Sequence, residues 1–412
     1  MQPSPYTPGG IAYEVPGRDQ QLGEITERLS YMVDLRRLVD RIRVDTAPRG
    51  LGKTSMLAKV AQLVEQRGAL PVRVLAGQDG TLMQAIGIHL DRATRDWSKD
   101  LRRRTGRLID KLTVKVGVGV AEVEATVNRK PRSLTPQGAT EFQDLIQETT
   151  RGALKMGRSG LVLLIDEIQS GDADSLSALS YGWQNLQHEA RDVPAAVFAA
   201  GLPNSEMVLR RAATPTERFA YRTLGPLTPD ASRQALSVPA MQAGVRWTPE
   251  ALHRAMATAN GFPFTVQLLG DQAWRSAGYP HPGAEISLDH VAAAELATQP
   301  DLLPLLRARW EDAAPAERRF LRAMAEIGDT RVARHDIAQR LHVTSRALSV
   351  HRERLISKGI LQAPEHGYLG FTINGFAEYV RAQPRDLNET AESVTDVHEP
   401  TAHDDPPGPH TA

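Results

Sequence analysis

A phosphate-cradling loop is spelled by Ala47-Pro48-Arg49-Gly50-Leu51-Gly52-Lys53-Thr54, which follows the spacing G-x-x-x-x-G-K-[ST] at every conserved-type position but the first. In such a loop the backbone N–H groups from Gly50 to Thr54 point at phosphates from a helix N-terminus, Lys53 reaches the β and γ phosphates, and the Thr54 hydroxyl holds Mg²⁺. Pro48, Arg49, Leu51 and Ser55 complete the set of loop residues placed against the ligand. About a hundred residues later, Leu161-Val162-Leu163-Leu164-Ile165-Asp166-Glu167 ends an apolar run on two adjacent carboxylates. Asp166 is suited to bind Mg²⁺ through water, and Glu167 to orient an attacking water, because in-line displacement needs a base opposite the leaving phosphate. Together the two segments predict a nucleoside-triphosphate site competent for hydrolysis. Ala47 stands where the first glycine would be, which predicts an intact and slightly strained loop if its φ is negative.

The elements that must position these residues can be read around them. Pro16-Gly17-Arg18-Asp19 leads into a helical pattern over residues 20–38, and Ile42-Arg43-Val44 is a short strand entering the loop. A helix over residues 54–65 and a second strand, Val72-Arg73-Val74-Leu75-Ala76, make a βαβ unit. The uninterrupted apolarity of residues 161–165 and of Ala195-Ala196-Val197-Phe198-Ala199-Ala200 fits parallel strands covered on both faces. A helix over residues 140–155 precedes the first of these. Between the second and third strands, Thr113-Val114-Lys115-Val116-Gly117-Val118-Gly119-Val120 alternates with strand period toward Val123 and Val127 and predicts an inserted hairpin or edge ribbon. The run Arg102-Arg103-Arg104 reads as a solvated helix face or a nucleic-acid contact.

Composition sets outer limits. A chain of 412 residues exceeds one ordinary core and divides into two to four domains, and 41% hydrophobic content is enough to fill them. The absence of cysteine leaves neither a disulfide framework nor a thiolate metal site, which suits a reducing cytoplasm. The start has no signal-peptide pattern, and no run approaches the ~18 to 20 apolar residues of a membrane span. The expectation is a cytoplasmic protein with no membrane partner. Residues 386–412 hold seven acids and no Lys or Arg; the whole chain is formally neutral, so the remainder carries +7. That proline-rich end predicts a disordered acidic tail over residues 384–412.

Beyond residue 226 the texture turns helical. Thr228-Pro229 and Thr248-Pro249 each have the order of an N-cap and first turn, and Gly261 marks the end of the second helix. Residues 306–383 read as a helix-turn-helix with a wing: helices over 316–327, 335–341 and 345–358, then Ile360-Leu361-Gln362 and Tyr368-Leu369-Gly370-Phe371 around a turn. Seven basic residues against two acids give residues 331–358 a local charge of +5. Ser345 as the cap of the third helix would set Arg346 and Ser349 near its exposed N-terminal face and Arg352 further along. Such a helix suits the major groove of double-stranded DNA, with Arg346 able to read guanine.

Several boxes now carry a resemblance. Pro-Gly-Arg-Asp at 16–19, Pro-Arg-Gly-Leu-Gly-Lys-Thr-Ser at 48–55, Ile-Asp-Glu-Ile-Gln at 165–169, Ala-Ala-Gly-Leu-Pro at 199–203 and Asn-Gly-Phe-Pro-Phe-Thr-Val-Gln at 260–267 look like prokaryotic AAA+ ATPases of the origin-recognition-like and archaeal-ATPase-like group. The resemblance implies an α/β P-loop NTPase core with a parallel sheet over residues 1–226, into which the β-rich, basic segment at about 81–135, read from its own pattern, is inserted. It further implies a helical lid over 227–305 and a winged helix over 306–383. In that family Val15, Gly17 and Arg18 would border the adenine of ATP, Asn204 would sense the γ phosphate, and Arg218 would complete the site of a neighbouring subunit, with Arg210 and Arg211 behind it. Many relatives have an arginine after Gly-x-Pro in the lid box. Here Phe264 and Thr265 follow Pro263, with Phe264 read as lid core and Arg254 or Arg275 as substitutes.

Two functions follow as expectations. One is a Mg²⁺-dependent ATP hydrolase that couples nucleotide state to DNA binding through the winged helix. The alternative, from the missing lid arginine and Ala47, is a slowly hydrolysing regulatory switch whose winged helix or insert holds a protein partner.

Overall fold

The computed structural model describes residues 1–12, 14–122, 138–213, 216–363 and 365–384. The acidic residues 386–412 and the alternating end at Val123 and Val127 lie outside them. Two units separate: Met1–Asp301 with Ser357–Gly359, and Leu302–Ile356 with Ile360 onward.

In the first unit α1 (Asp19–Asp34), β1 (Ile42–Thr46), α2 (Lys53–Gln66) and β2 (Leu70–Leu75) follow one another, then α3 (Leu82–Ala93), α4 (Lys99–Glu122) and α5 (Ala139–Lys155). The chain continues with β3 (Leu161–Asp166), α6 (Ala173–Glu189), β4 (Ala195–Gly201), α7 (Ser205–Ala212) and β5 (Phe219–Thr223). These five strands form one parallel sheet in the order β2-β3-β4-β1-β5. β4 is buried along its whole length and β3 up to Asp166, which is why both read as unbroken apolar runs. Because β1, β4 and β3 run parallel with β4 alone between the other two, the loop after β1 and the carboxylates ending β3 emerge close together at the carboxyl end of the sheet. Ligands of open α/β sheets sit at those carboxyl ends. The edge strand β5 went unread in the sequence: only Phe219 and Ala220 are fully buried, and its exposed end carries Arg222 and Thr223.

The ribbon expected at residues 113–120 is not present; those residues are helical, within α4. Leu101, Leu108 and Ile109 pack on the core with buried Leu112, so a helix is already propagating when the valines begin. Continuing it costs each β-branched residue under ~0.7 kcal/mol, whereas a new ribbon would have to be closed from nothing.

The segment expected as a lid holds α8 (Pro229–Gln242), β6 (Arg246–Trp247), α9 (Pro249–Ala259), α10 (Pro263–Ser276) and β7 (Glu285–Ile286), followed by α11 (Leu288–Glu311). Thr228 and Thr248 cap α8 and α9 as their order with proline indicates, accepting from the backbone N–H of Ala231 and Ala251. α9 stops at Asn260 and Gly261, both at positive φ. The lid core has a member from the far end of the chain. Tyr6 is 3% exposed, meets Trp247 and Trp274 edge-on at 6.4 Å each, and donates to Leu236 O while accepting from Trp247 Nε1 at 3.0 Å. Burial pushes its hydroxyl pKa well above the ordinary value. Gly270 makes room for it, since a Cβ there would lie 2.6 Å from the Tyr6 ring.

The second unit holds α12 (Pro315–Ile327), β8 (Val332–Ala333), α13 (Arg334–Leu341), α14 (Ser349–Ser357), β9 (Leu361–Gln362), β10 (Tyr368–Phe371) and α15 (Phe376–Ala382). Its antiparallel sheet has the order β8-β10-β9. Ser345 does not cap the third helix. The Ala347 N–H meets Thr344 O at 3.0 Å and Thr344 Oγ1 at 3.3 Å, and the Ser349 N–H bonds Arg346 O, so residues 344–348 form i→i+3 turns and α14 starts later.

Candidate nucleotide-binding site

β1 delivers the loop with its backbone tied down, the Ala47 N–H donating to Gly201 O at the end of β4 (3.1 Å). Ala47 is fully buried and is not among the positive-φ residues, so alanine serves here without backbone strain. Gly50 and Gly52 do need left-handed backbone, at φ 85° and 84°. At Gly50 space is a second demand: a Cβ would stand 2.5 Å from Phe262 Cζ. Gly52 turns the chain into α2, so Lys53 and Thr54 open a helix whose N–H groups face the cleft. Lys53 is 5% exposed, and its Nζ donates to Pro48 O at 3.1 Å.

Thr54 Oγ1 donates to Asp166 Oδ2 at 2.7 Å, joining the two sequence segments. The other Asp166 oxygen accepts from the Glu167 N–H at 2.9 Å. Glu167 itself takes left-handed backbone at φ 52°, an uncommon conformation for a residue with a Cβ. Its carboxylate accepts from Gln169 Nε2, while Gln169 Oε1 accepts from the Leu202 N–H at 2.9 Å. Gln169 thus fastens Glu167 to the turn after β4.

A cleft of about 390 Å³ lies over the loop, lined by Val15, Arg18, residues 49–55 and Glu167. Arg18, 6% exposed, donates to Leu51 O at 3.3 Å and Gly225 O at 2.6 Å, pinning the loop to the connector that leads into the lid. Burial lowers its pKa, and Asp45 opposes that shift. Gly17 does not line the cleft; at φ 75° it lets α8 approach, a Cβ there meeting Ala231 Cβ at 2.5 Å. The lid closes the other wall through Leu227, Pro263, Phe264 and Gln267. Phe264 is therefore a cleft residue, its N–H donating to Gly50 O at 3.2 Å, and the fully buried phenylalanine of this box is Phe262, whose ring lies against Gly50.

Other expected residues lie elsewhere. Asn204 is exposed ahead of α7 and outside the cleft lining. Arg218 does not project toward a neighbour: it is 9% exposed, stacks 4.6 Å over the Tyr181 ring and donates to Ser180 Oγ at 3.3 Å. Its flat guanidinium finds better company on α6 than in solvent. Arg254 pairs with Glu295 at 2.6 Å and Arg275 with Asp271 at 2.8 Å, and neither lines the cleft. Among the described residues no cluster of three His, Cys, Asp or Glu is arranged to hold a metal ion.

Two groups carry no signal the motifs would reveal. Gln169 is visible only as the end of Ile-Asp-Glu-Ile-Gln, and the 3-10 turn at Ile168–Ser170 is what folds its amide back on Glu167. Thr7 and residues 9–12 line the cleft because Tyr6 is anchored in the lid on one side, while the Ala12 N–H bonds Ser55 Oγ (3.1 Å) and Glu14 pairs with Lys59 (2.9 Å) on the other.

In the second unit Arg346 is exposed, while Ser345, Ser349 and Arg352 are half-buried. Arg331 lies 3.8 Å over Tyr368 and pairs with Glu365 at 3.0 Å, and Arg340 pairs with Glu326. Neighbouring carboxylates outside the counted residues thus reduce the local excess of positive charge.

A sequence family described as a domain of unknown function (DUF8462) matches residues 304–380. No curated protein matches the chain. Among solved structures it is similar to the Walker-type ATPase PABY2304 of Pyrococcus abyssi, at 14% identity and a TM-score of 0.51 over 92% of this chain and 99% of that one. It is also similar to the Aeropyrum pernix ORC2 protein in ADPNP–ADP complexes, at 13% identity and a TM-score of 0.55 over 89% of this chain and 95% of that one. With its five-stranded parallel sheet and its glycine loop at the end of β1, the chain has the α/β P-loop NTPase fold, which it shares with these two proteins.

Proposed function

We propose that the chain binds ATP with Mg²⁺ in this cleft, hydrolyses it, and uses its nucleotide state to govern DNA binding by the second unit. The observation that carries the first part is the 2.7 Å contact between Thr54 Oγ1 and Asp166 Oδ2, which brings a hydroxyl and a carboxylate together beside Lys53 and Glu167. Hard oxygen donors few in number fit Mg²⁺, which keeps several waters and takes further ligands from substrate phosphates. Thr54 and Asp166 would hold the ion, whose chemistry is to neutralise charge on the phosphate oxygens. Lys53 exchanges Pro48 O for phosphate, and the N–H groups of residues 50–54 supply the rest of the cradle. Glu167 accepts a proton from the attacking water once its carboxylate leaves Gln169.

Lys53→Ala is expected to weaken ATP binding about 10- to 150-fold, the worth of one charge-assisted hydrogen bond to phosphate. Isothermal titration with the full chain measures this; an unchanged Kd would remove the loop from the binding site.

DNA binding is supported by the chain order α12-β8-α13-α14-β9-β10, the order of a winged helix, and by exposed Arg346 just before α14. The test is duplex binding with ATP against ADP, and no dependence on nucleotide would count against coupling. A slow switch holding a protein partner is the second reading. It is favoured by the Gln169 contact on Glu167 and by the engagement of Arg254 and Arg275 with carboxylates. Absence of measurable turnover, with or without DNA, would favour it.

A further inference from the structure

Lys99, Arg103, Arg107 and Lys111 recur every four residues along α4 and are all exposed. At 1.5 Å of rise per residue they set a cation about every 6 Å along one ridge of the helix. The opposite side of α4 is the buried one: Thr105 and Leu112 are enclosed, and Leu101, Leu108 and Ile109 pack on the sheet's core. Like charges four residues apart disfavour a helix, so three successive repeats oppose the element that displays them. Exposed Asp96, Asp100 and Asp110 lie along the same face and offset part of that repulsion, but the pairing is loose. Arg103 has only Asp100, at 3.9 Å with both side chains largely exposed, and among the described residues no carboxylate pairs with Lys99, Arg107 or Lys111. Flanking Arg102 and Arg104 have equally loose partners, Asp91 at 3.9 Å and Glu148 at 3.7 Å.

We infer that this ridge is a binding surface for the phosphate backbone of double-stranded nucleic acid, on the ATPase unit itself and independent of the second unit. A regular row of cations matches a ligand with regularly spaced anions, and backbone contacts of this kind position a duplex without reading its sequence. The ridge shows no large exposed apolar side chain between residues 99 and 113. A protein partner's interface would be centred on aromatic or aliphatic anchors, and a membrane-lying helix would present an apolar face; the ridge offers neither.

The test is fluorescence anisotropy of a labelled duplex of about 30 base pairs and arbitrary sequence, titrated with the full chain between about 50 and 200 mM salt. Each phosphate contact contributes about 0.9 to the slope of log K against log salt, so replacing Lys99, Arg103, Arg107 and Lys111 together by Gln should lower the slope by about 2 to 4. Exchanging Lys and Arg at the same four positions should leave it unchanged, which guards against a folding effect, as does equal helicity by circular dichroism. The inference is overturned if the Gln variant keeps the parent slope. It also falls if Gln at four exposed cations elsewhere on the unit, Arg37, Arg151, Lys155 and Arg158, lowers the slope equally, or if the chain binds polyglutamate and not the duplex. Arg346→Gln with Arg352→Gln separates this surface from the winged-helix reading. A slope lowered only by that pair overturns the ridge, and a slope lowered only by the ridge variant supports the ridge and counts against the winged helix as the DNA contact.

Discussion

Glu167→Gln should lower ATP turnover by about 10²- to 10⁴-fold, the usual worth of a positioned general base, while leaving ATP affinity within about threefold. The substitution removes the proton acceptor and little else. Glu167 makes its backbone bond to Asp166 through its own N–H, and that bond is indifferent to the side chain. A glutamine Oε1 can still accept from Gln169 Nε2, so the link from the end of β3 to the turn after β4 remains. Thr54, Asp166 and Lys53 are untouched. Single-turnover phosphate release separates the chemical step from product release. Equal rates in the two proteins would mean that water is activated by some other group. If the parent itself turns over slowly because Gln169 holds the Glu167 carboxylate, the ratio falls toward the lower end of that range.

The site was largely legible because its chemistry is written in short runs. Residues 47–54 fix the loop by spacing alone, and the apolar strand before Asp166 fixes where the carboxylates emerge. The meeting of Thr54 with Asp166 then follows from parallel strand order, with β4 alone between β1 and β3. Long-range partners were not legible. Nothing around Tyr6 announces that it fills the space over Gly270, and no local pattern tells that Gln169 turns back on Glu167 while also holding the Leu202 N–H.

The misreadings share a cause, which is that a local signal was outweighed by packing elsewhere. Valine alternation at residues 113–120 lost to a helix already anchored through Leu101, Leu108 and Leu112. Ser345 was a plausible cap, but Thr344 took the Ala347 N–H first. Arg218, expected to complete the site of a neighbouring subunit, stacks on the ring of Tyr181 within its own chain. Phe262 and Phe264 flank Pro263, and only the fold decides which is buried against Gly50 and which lines the cleft.

Gly50→Ala should destabilise the first unit by about 2 to 5 kcal/mol, whereas Gly52→Ala should cost only about 1 to 2 kcal/mol. Both glycines sit at nearly the same left-handed φ, 85° and 84°, so the backbone penalty of a Cβ is common to the pair. Around Gly52 a Cβ meets nothing within 4 Å. Around Gly50 it meets Phe262 Cζ at 2.5 Å and Cε1 at 2.9 Å, with Phe264 Cβ at 3.4 Å. Phe262 is 1% exposed and has no room to swing aside, and the Phe264 N–H to Gly50 O bond ties the same stretch of lid to the same loop residue. The methyl must therefore push the start of α10 off the loop. Thermal unfolding midpoints of the two variants measure the difference, and ATP titration should show the larger loss for Gly50→Ala because Phe264 and Pro263 leave the cleft wall with the lid. Equal destabilisation would mean that Phe262 yields and the lid is not clamped at Gly50. A larger effect at Gly50 would place the coupling between bound phosphate and lid position in this backbone contact, in a chain whose lid arginines are already engaged with Glu295 and Asp271.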